Sequence, residues 1–126
     1  PDMRIPISYG LSYPERTTSG IERLNLAEIG VLEFEQPDLE RFPSLVLARE
    51  AAKTGRSVPI ALNAANEIAV EAFLDRRISF CEIPQVVDWI LQKHEPSEVS
   101  DLEHVVDTDL EVRAMASEMI QRGLSS

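Results

Sequence analysis

The chain has 126 residues, 44% of them apolar, which suits one ordinary domain or a small domain with an arm and excludes wholesale disorder. Its 22 acidic and 12 basic side chains give a formal charge of −10, which argues against nucleic acid or an anionic membrane surface as a partner. The single cysteine, Cys81, excludes an internal disulfide and fits a reducing, cytoplasmic setting, and the apolar runs fall far short of a membrane span.

The chain opens on Pro1 without an initiator methionine, which points to a processed product or a piece of a longer chain. Residues 1–20 hold three prolines and two glycines. Ile5, Ile7, Tyr9 and Leu11 alternate like a short strand, while Tyr9 and Tyr13, four apart, fit a short helix equally well. Pro14 ends either element at Tyr13. Residues 21–41 read as an extended connector. Asn25, with Glu28 three positions on, has the pattern of a helix cap, and Gly30 stops that turn. Val31–Phe34 alternates enough for a brief strand, and a lone strand needs a partner for its backbone groups. That partner is expected in a sheet outside this chain.

From Phe42 the pattern is helical. One helix is predicted from about Phe42 to Lys53, with Leu45, Leu47, Ala48, Ala51 and Ala52 apolar and Gly55 as its stop. The next, Val58–Asp75, has the composition of a buried central helix. Pro59 suits its first turn, bulk comes from Ile60, Leu62, Ile68, Val70, Phe73 and Leu74, and its alanines permit close approach of neighbours. A third helix, Glu82–Lys93, carries a stripe of Ile83, Val86, Val87, Ile90 and Leu91, with Trp89 as a large structural anchor beside it. Ser100 and Glu103 have the spacing of a capping box for a fourth helix, Leu102–Arg122, which either starts in two pieces around Asp107 and Asp109 or runs unbroken to Gly123. The predicted fold is mainly α: a small four-helix bundle over 42–126, carrying an extended N-terminal arm that pairs with a sheet outside this chain.

The polar residues give little self-sufficient chemistry. His94 and His104 are ten apart and Cys81 lies thirteen before His94, which matches no structural zinc spacing. His94 falls at a predicted helix C-terminus, where an imidazolium is mildly favoured. Glu67 with Glu71, and Asp107 with Asp109 and Glu111, are close carboxylates of a kind that an acidic chain produces by chance. Glycine-rich phosphate loops, nucleophile elbows and metalloprotease motifs are lacking, and no catalytic or metal-ligating residue is assigned. Asn63, Asn66 and Glu67 interrupt the central apolar helix. Amides in such a place bond backbone groups of the connector and nearby loops, lie at a domain interface, or touch a ligand. The expected role is structural, with Asn63 and Asn66 pinning the connector to the bundle.

The stretch LNAANEIAVEAFL at 62–74 resembles the C-terminal part of the 1-deoxy-D-xylulose 5-phosphate reductoisomerase family. PDMRIPISYGLSYPER at 1–16, LEFEQPDLERFPSLVLAREA at 32–51 and ISFCEIPQVVDWIL at 78–91 are similar to that family in the same order, so the resemblance covers essentially the whole chain. It implies residues 1–20 as the end of an upstream α/β catalytic domain, to which the N-terminal arm belongs or with which it pairs, 21–41 as an extended connector with a short strand, and 42–126 as a C-terminal four-helix domain. The reaction implied converts 1-deoxy-D-xylulose 5-phosphate to 2-C-methyl-D-erythritol 4-phosphate with NADPH and Mg2+ or Mn2+, in a homodimer. The metal-binding acids, the phosphate-binding residues, the lid and the dinucleotide fold would lie upstream. Of the site, the resemblance leaves Pro1 and Met3 beside the nicotinamide; a thioether is soft enough to lie against a ring. Ser44 stands where several relatives would have cysteine, a change that bears on packing. The chain alone is expected to be structural, without activity or a cofactor of its own. The competing reading is an independent helical scaffold or interaction domain.

Overall fold

A computed structural model describes residues 2–22 and 24–123. Among them are six α-helices, one 3-10 turn and no strand, so the chain is mainly helical without a sheet. The count is six where four were expected, because two short helices form before residue 37. The chain divides into two units, Pro1–Gln36 and Pro37–Ser126.

In the first unit, α1 (Arg4–Ser12) resolves the strand-or-helix ambiguity in favour of helix. Asp2 starts it, accepting the Arg4 backbone N–H at 2.9 Å and pairing with the Arg4 guanidinium at 2.7 Å. Tyr9 and Tyr13 meet edge to face at 5.8 Å, the contact their spacing implied. The helix α2 (Leu26–Ile29) is one turn, capped by Asn25, whose side chain accepts the Ala27 N–H at 3.1 Å, and ended by Gly30 in the left-handed region at φ 73°. Val31–Phe34 does not form the brief strand expected of it: the stretch has no ladder partner among the described residues and is exposed. Alternation alone supplies no partner for a strand's N–H and C=O groups; the Val31 N–H turns back to the Ile29 carbonyl at 2.8 Å instead. No described residue of this unit is buried.

The second unit contains α3 (Ser44–Thr54), α4 (Val58–Leu74), a 3-10 turn at Phe80–Glu82, α5 (Ile83–Lys93) and α6 (Leu102–Arg122). Local chemistry sets most ends. Asp38 accepts the N–H groups of Glu40 and Arg41 ahead of α3, and Gly55, at φ 64°, closes it. Pro59 and Pro84 occupy first turns, where a missing N–H costs nothing. The cap of α6 differs from the expected Ser100–Glu103 box. Asp101 accepts the His104 N–H at 2.9 Å, while Ser100 donates to Asp101. A carboxylate at this position gains from the helix dipole as well as the bond. The reciprocal contact occurs instead at Ser79, whose N–H donates to Glu82 at 2.6 Å. The α6 helix is continuous through Asp107 and Asp109.

The helix α4 packs against α3, α5 and α6, and α5 also meets α6. Its buried face is Val58, Ala61, Ala64, Ala65, Ala69 and Ala72, while Val70 and Leu74, expected to supply core bulk, are exposed. Leu62, Ile68 and Phe73 of α4 pack against this core partly buried, and further bulk comes from the neighbours: Ile83, Val86, Val87 and Ile90 on α5, and Val112 and Ile120 on α6. Small residues on the central helix let these larger side chains approach, and an alanine loses no rotamer freedom on burial. The α5 stripe is the one its spacing predicts. Trp89, placed beside that stripe as an anchor, lies outside the core cluster and is 37% exposed. Its ring projects from α5 between the buried arc and the solvent side.

Candidate functional site

Met3 stands at the start of α1 with most of its surface exposed. Pro1, assigned with it to the nicotinamide, lies outside the described residues. The apolar residues that follow, Ile5, Ile7 and Leu11, are also exposed. The arm therefore presents a thioether and an apolar surface, with the Asp2–Arg4 pair holding Asp2 below the usual carboxylate range through the guanidinium bond.

Asn63, Asn66 and Glu67 on α4 are exposed and do different things. Asn63 donates to Glu67 at 3.1 Å, one turn along the same helix. Glu67 then takes a bond from Arg113 on α6, which also holds Asp109 at 2.6 Å. This cluster crosses from α4 to α6. Arg113 lowers the Glu67 carboxyl below its ordinary range, with the Asn63 amide contributing; Asp109 and then Glu67 hold the guanidinium firmly charged. Asn66 makes no hydrogen bond among the described residues; it borders a groove of about 550 Å³ with Phe42, Leu45, Phe80 and Cys81. The bonds to the connector expected of Asn63 and Asn66 are not among those the described residues make. Four residues after Asn63 a carboxylate is within reach, and an exposed amide takes that local partner. Cys81 is exposed in the 3-10 turn.

One well-connected polar group was not singled out from the sequence. Ser57, just before α4, is fully buried. Its Oγ lies 2.7 Å from His94 Nε2 and 3.1 Å from Ser97 Oγ, and it accepts the Ser97 backbone N–H at 2.9 Å. The Ser57 N–H donates to the Ser97 carbonyl at 3.0 Å, and Ser97 Oγ reaches His104 Nε2 at 2.9 Å. The α5–α6 loop is tied by these bonds to the start of α4. Burial lowers the His94 pKa, opposed in part by Glu111 on α6. The adjoining cavity, about 680 Å³, is lined by both histidines with Asp101, Asp107 and Glu111 among others. Ser57 is no nucleophile, because its hydroxyl is enclosed and committed to these partners. A serine beside a predicted helix start and two histidines flanking the next loop were the available signals; their convergence depends on α4, α5 and α6 packing side by side. Among the described residues no group of three or more histidine, cysteine or acidic side chains is placed to hold a metal ion, and no helix is long and apolar enough to cross a membrane.

A family model described as the DXP reductoisomerase C-terminal domain matches residues 1–115. A 1-deoxy-D-xylulose 5-phosphate reductoisomerase of Chlorobium phaeovibrioides is 52% identical over 120 residues, 95% of this chain and 31% of that protein. The Nitrosococcus oceani enzyme of that name is 48% identical over 122 residues, 97% of this chain and 31% of its own length. Among solved structures, the Zymomonas mobilis reductoisomerase in complex with NADPH superposes with a TM-score of 0.86 at 43% identity, covering 96% of this chain and 32% of that one. A DOX-P reductoisomerase in complex with NADPH, fosmidomycin and magnesium gives 0.81, at the same identity and coverage. The chain spans about a third of the length of the curated relatives it matches.

Proposed function

Because the chain belongs to the DXP reductoisomerase C-terminal domain family, we propose that it forms the C-terminal third of an NADPH-dependent reductoisomerase. That enzyme converts 1-deoxy-D-xylulose 5-phosphate to 2-C-methyl-D-erythritol 4-phosphate, as a cytoplasmic homodimer in isoprenoid synthesis. The observation that carries this reading is the TM-score of 0.86, over 96% of the chain, to a reductoisomerase holding NADPH. In this assignment residues 1–20 end the catalytic domain, 21–41 connect, and 42–126 form a C-terminal four-helix bundle.

The role of the chain's own residues follows from their surfaces. The arm buries none of its described residues, so its apolar side chains are available for an upstream domain to cover. Met3, exposed and polarisable, fits against the face of a nicotinamide ring, with Pro1 beside it. When bound, NADPH supplies the hydride for an aldehyde formed by skeletal rearrangement. The described residues do not fit a divalent metal, so magnesium or manganese is assigned to the upstream part of the enzyme. The helices 42–126 are held as a unit by their core and by the bonds that join α4 to α6; Asn63, Asn66, Glu67 and Trp89 act structurally in this scheme.

A steady-state assay with substrate, NADPH and manganese tests the division of labour. The purified 126-residue chain should give no turnover above a control without enzyme, since the family resemblance assigns the dinucleotide fold, the phosphate-binding residues and the metal-binding acids to the part upstream of it. In the intact enzyme Met3→Ala should raise the KM for NADPH more than it lowers kcat. Turnover by the chain alone, or an M3A variant indistinguishable from wild type, would overturn the reading.

A further inference from the structure

Three side-chain bonds join His94, Ser57, Ser97 and His104 into one unbranched chain, at 2.7, 3.1 and 2.9 Å in that order. Each bond needs one hydrogen. The two hydroxyls carry one apiece, so the third must come from a ring nitrogen. One histidine therefore has a hydrogen on Nε2 and the other presents a lone pair. With both Nε2 atoms protonated, four hydrogens face three bonds and two donors meet. With neither protonated, one bond is missing. Ser57 has no slack for rearrangement, because its Oγ also accepts the Ser97 N–H at 2.9 Å in a fully buried position.

We propose that His94 and His104 form a coupled pair in which protonation of their Nε2 atoms is mutually exclusive, and that the second proton releases the α5–α6 loop from the start of α4. Two polarities satisfy the hydrogen count. In one, hydrogens point from His104 through Ser97 and Ser57 to His94; in the other, every arrow reverses. The Ser97 hydroxyl donates to Ser57 Oγ, which selects the first, and burial keeps the charge off His94. His94 is then the Nδ1–H tautomer and accepts from Ser57, while His104 donates to Ser97. The surrounding charges are Lys93 and Glu95 beside His94, Asp101, Glu103, Asp107 and Glu111 lining the cavity from the loop and α6, and the Arg56–Glu98 pair at 2.9 Å nearby. Glu111 favours a charge on His94, but no carboxylate bonds to either hydroxyl, so none absorbs the surplus hydrogen.

The chain has two histidines, so histidine-selective nitrogen-15 NMR follows both rings through a pH titration without overlap. Above neutral pH one ring should show a hydrogen-bearing Nε2 and the other a bare one, with His94 as the Nδ1–H tautomer. Like Nε2 states in the folded chain, or an Nε2–H tautomer at His94, would overturn the proposal without recourse to any variant. His104→Ala removes the opposing donor and lets the Ser97 hydroxyl turn away, so His94 should gain proton affinity by roughly two- to tenfold, the worth of one hydrogen bond. Ordinary repulsion between two imidazoliums would be screened by salt, whereas a hydrogen count is not. A rise that persists at 1 M salt supports the coupling. An unchanged His94 titration in folded H104A, or a rise abolished by salt, refutes it.

Discussion

Replacing Ile90 with alanine probes how α5 seats against α4. Ile90 is fully buried in the core cluster. The substitution removes three carbons, worth about 0.8 kcal/mol each on burial, or about 2.4 kcal/mol together. A cavity penalty adds to this where neighbours cannot close the gap. The α4 residues in the same cluster, Ala61, Ala65 and Ala69, have no side-chain torsion with which to fill it. The expected loss is about 2–4 kcal/mol, read as a lower midpoint in urea with an unchanged slope. Leu74→Ala is the control: that side chain is 71% exposed, and its loss should stay within about 0.5 kcal/mol. An I90A cost below about 0.5 kcal/mol, or equal costs at the two sites, would show that α5 does not seat its Ile90 face on α4.

Ser57→Ala leaves the Ser97 N–H and His94 Nε2 without their partner, so it should cost about 1–3 kcal/mol and speed hydrogen exchange at the Ser97 amide; normal protection there would mean the latch is not formed in solution. Arg113→Met keeps an apolar stem but removes the α4–α6 ion pair, and should cost about 0.5–1 kcal/mol at low salt, fading at high salt. Since Arg113 lowers the folded-state pKa of Glu67, the stability that pair confers is complete above the ordinary glutamate range and lost as pH falls through the lowered value. R113M should flatten that acid limb, and an unaltered pH profile would count against the pair.

The sequence made the helices of residues 37–126 readable because their boundary signals are local. Pro59 and Pro84 mark starts, Gly55 and Gly123 mark stops, and the α5 stripe repeats over enough turns to fix its phase. The arm was ambiguous because Ile5 to Leu11 is too short for periods of two and 3.6 to be told apart. At α6, Ser100 and Asp101 are adjacent cap formers, and the stronger acceptor took the cap. The phase of α4 was harder. Hydrophobicity points to Val70 and Leu74, but the buried face is chosen by size, and only alanine admits the three neighbouring helices. The polar contacts were harder to read for a related reason. Asn63 found a partner one turn away, whereas Ser57, His94, Ser97 and His104 are brought together by packing across 47 residues of sequence, a relation no local pattern carries.

The alanine face of α4 also sets how this chain can drift. A leucine or isoleucine in a core can lose atoms by degrees, and each loss is a graded insult. At Ala61, Ala64, Ala65, Ala69 and Ala72 the side chain is already minimal, and exposure is zero. The only smaller choice is glycine, which loosens the helix itself by about 1 kcal/mol. Every other replacement is a wedge, and a wedge under the central rod displaces its neighbours as well as itself. Variation is thereby driven outward, to Val70, Leu74 and the solvent side of α6, while the axis of the unit is left with almost no viable alternatives.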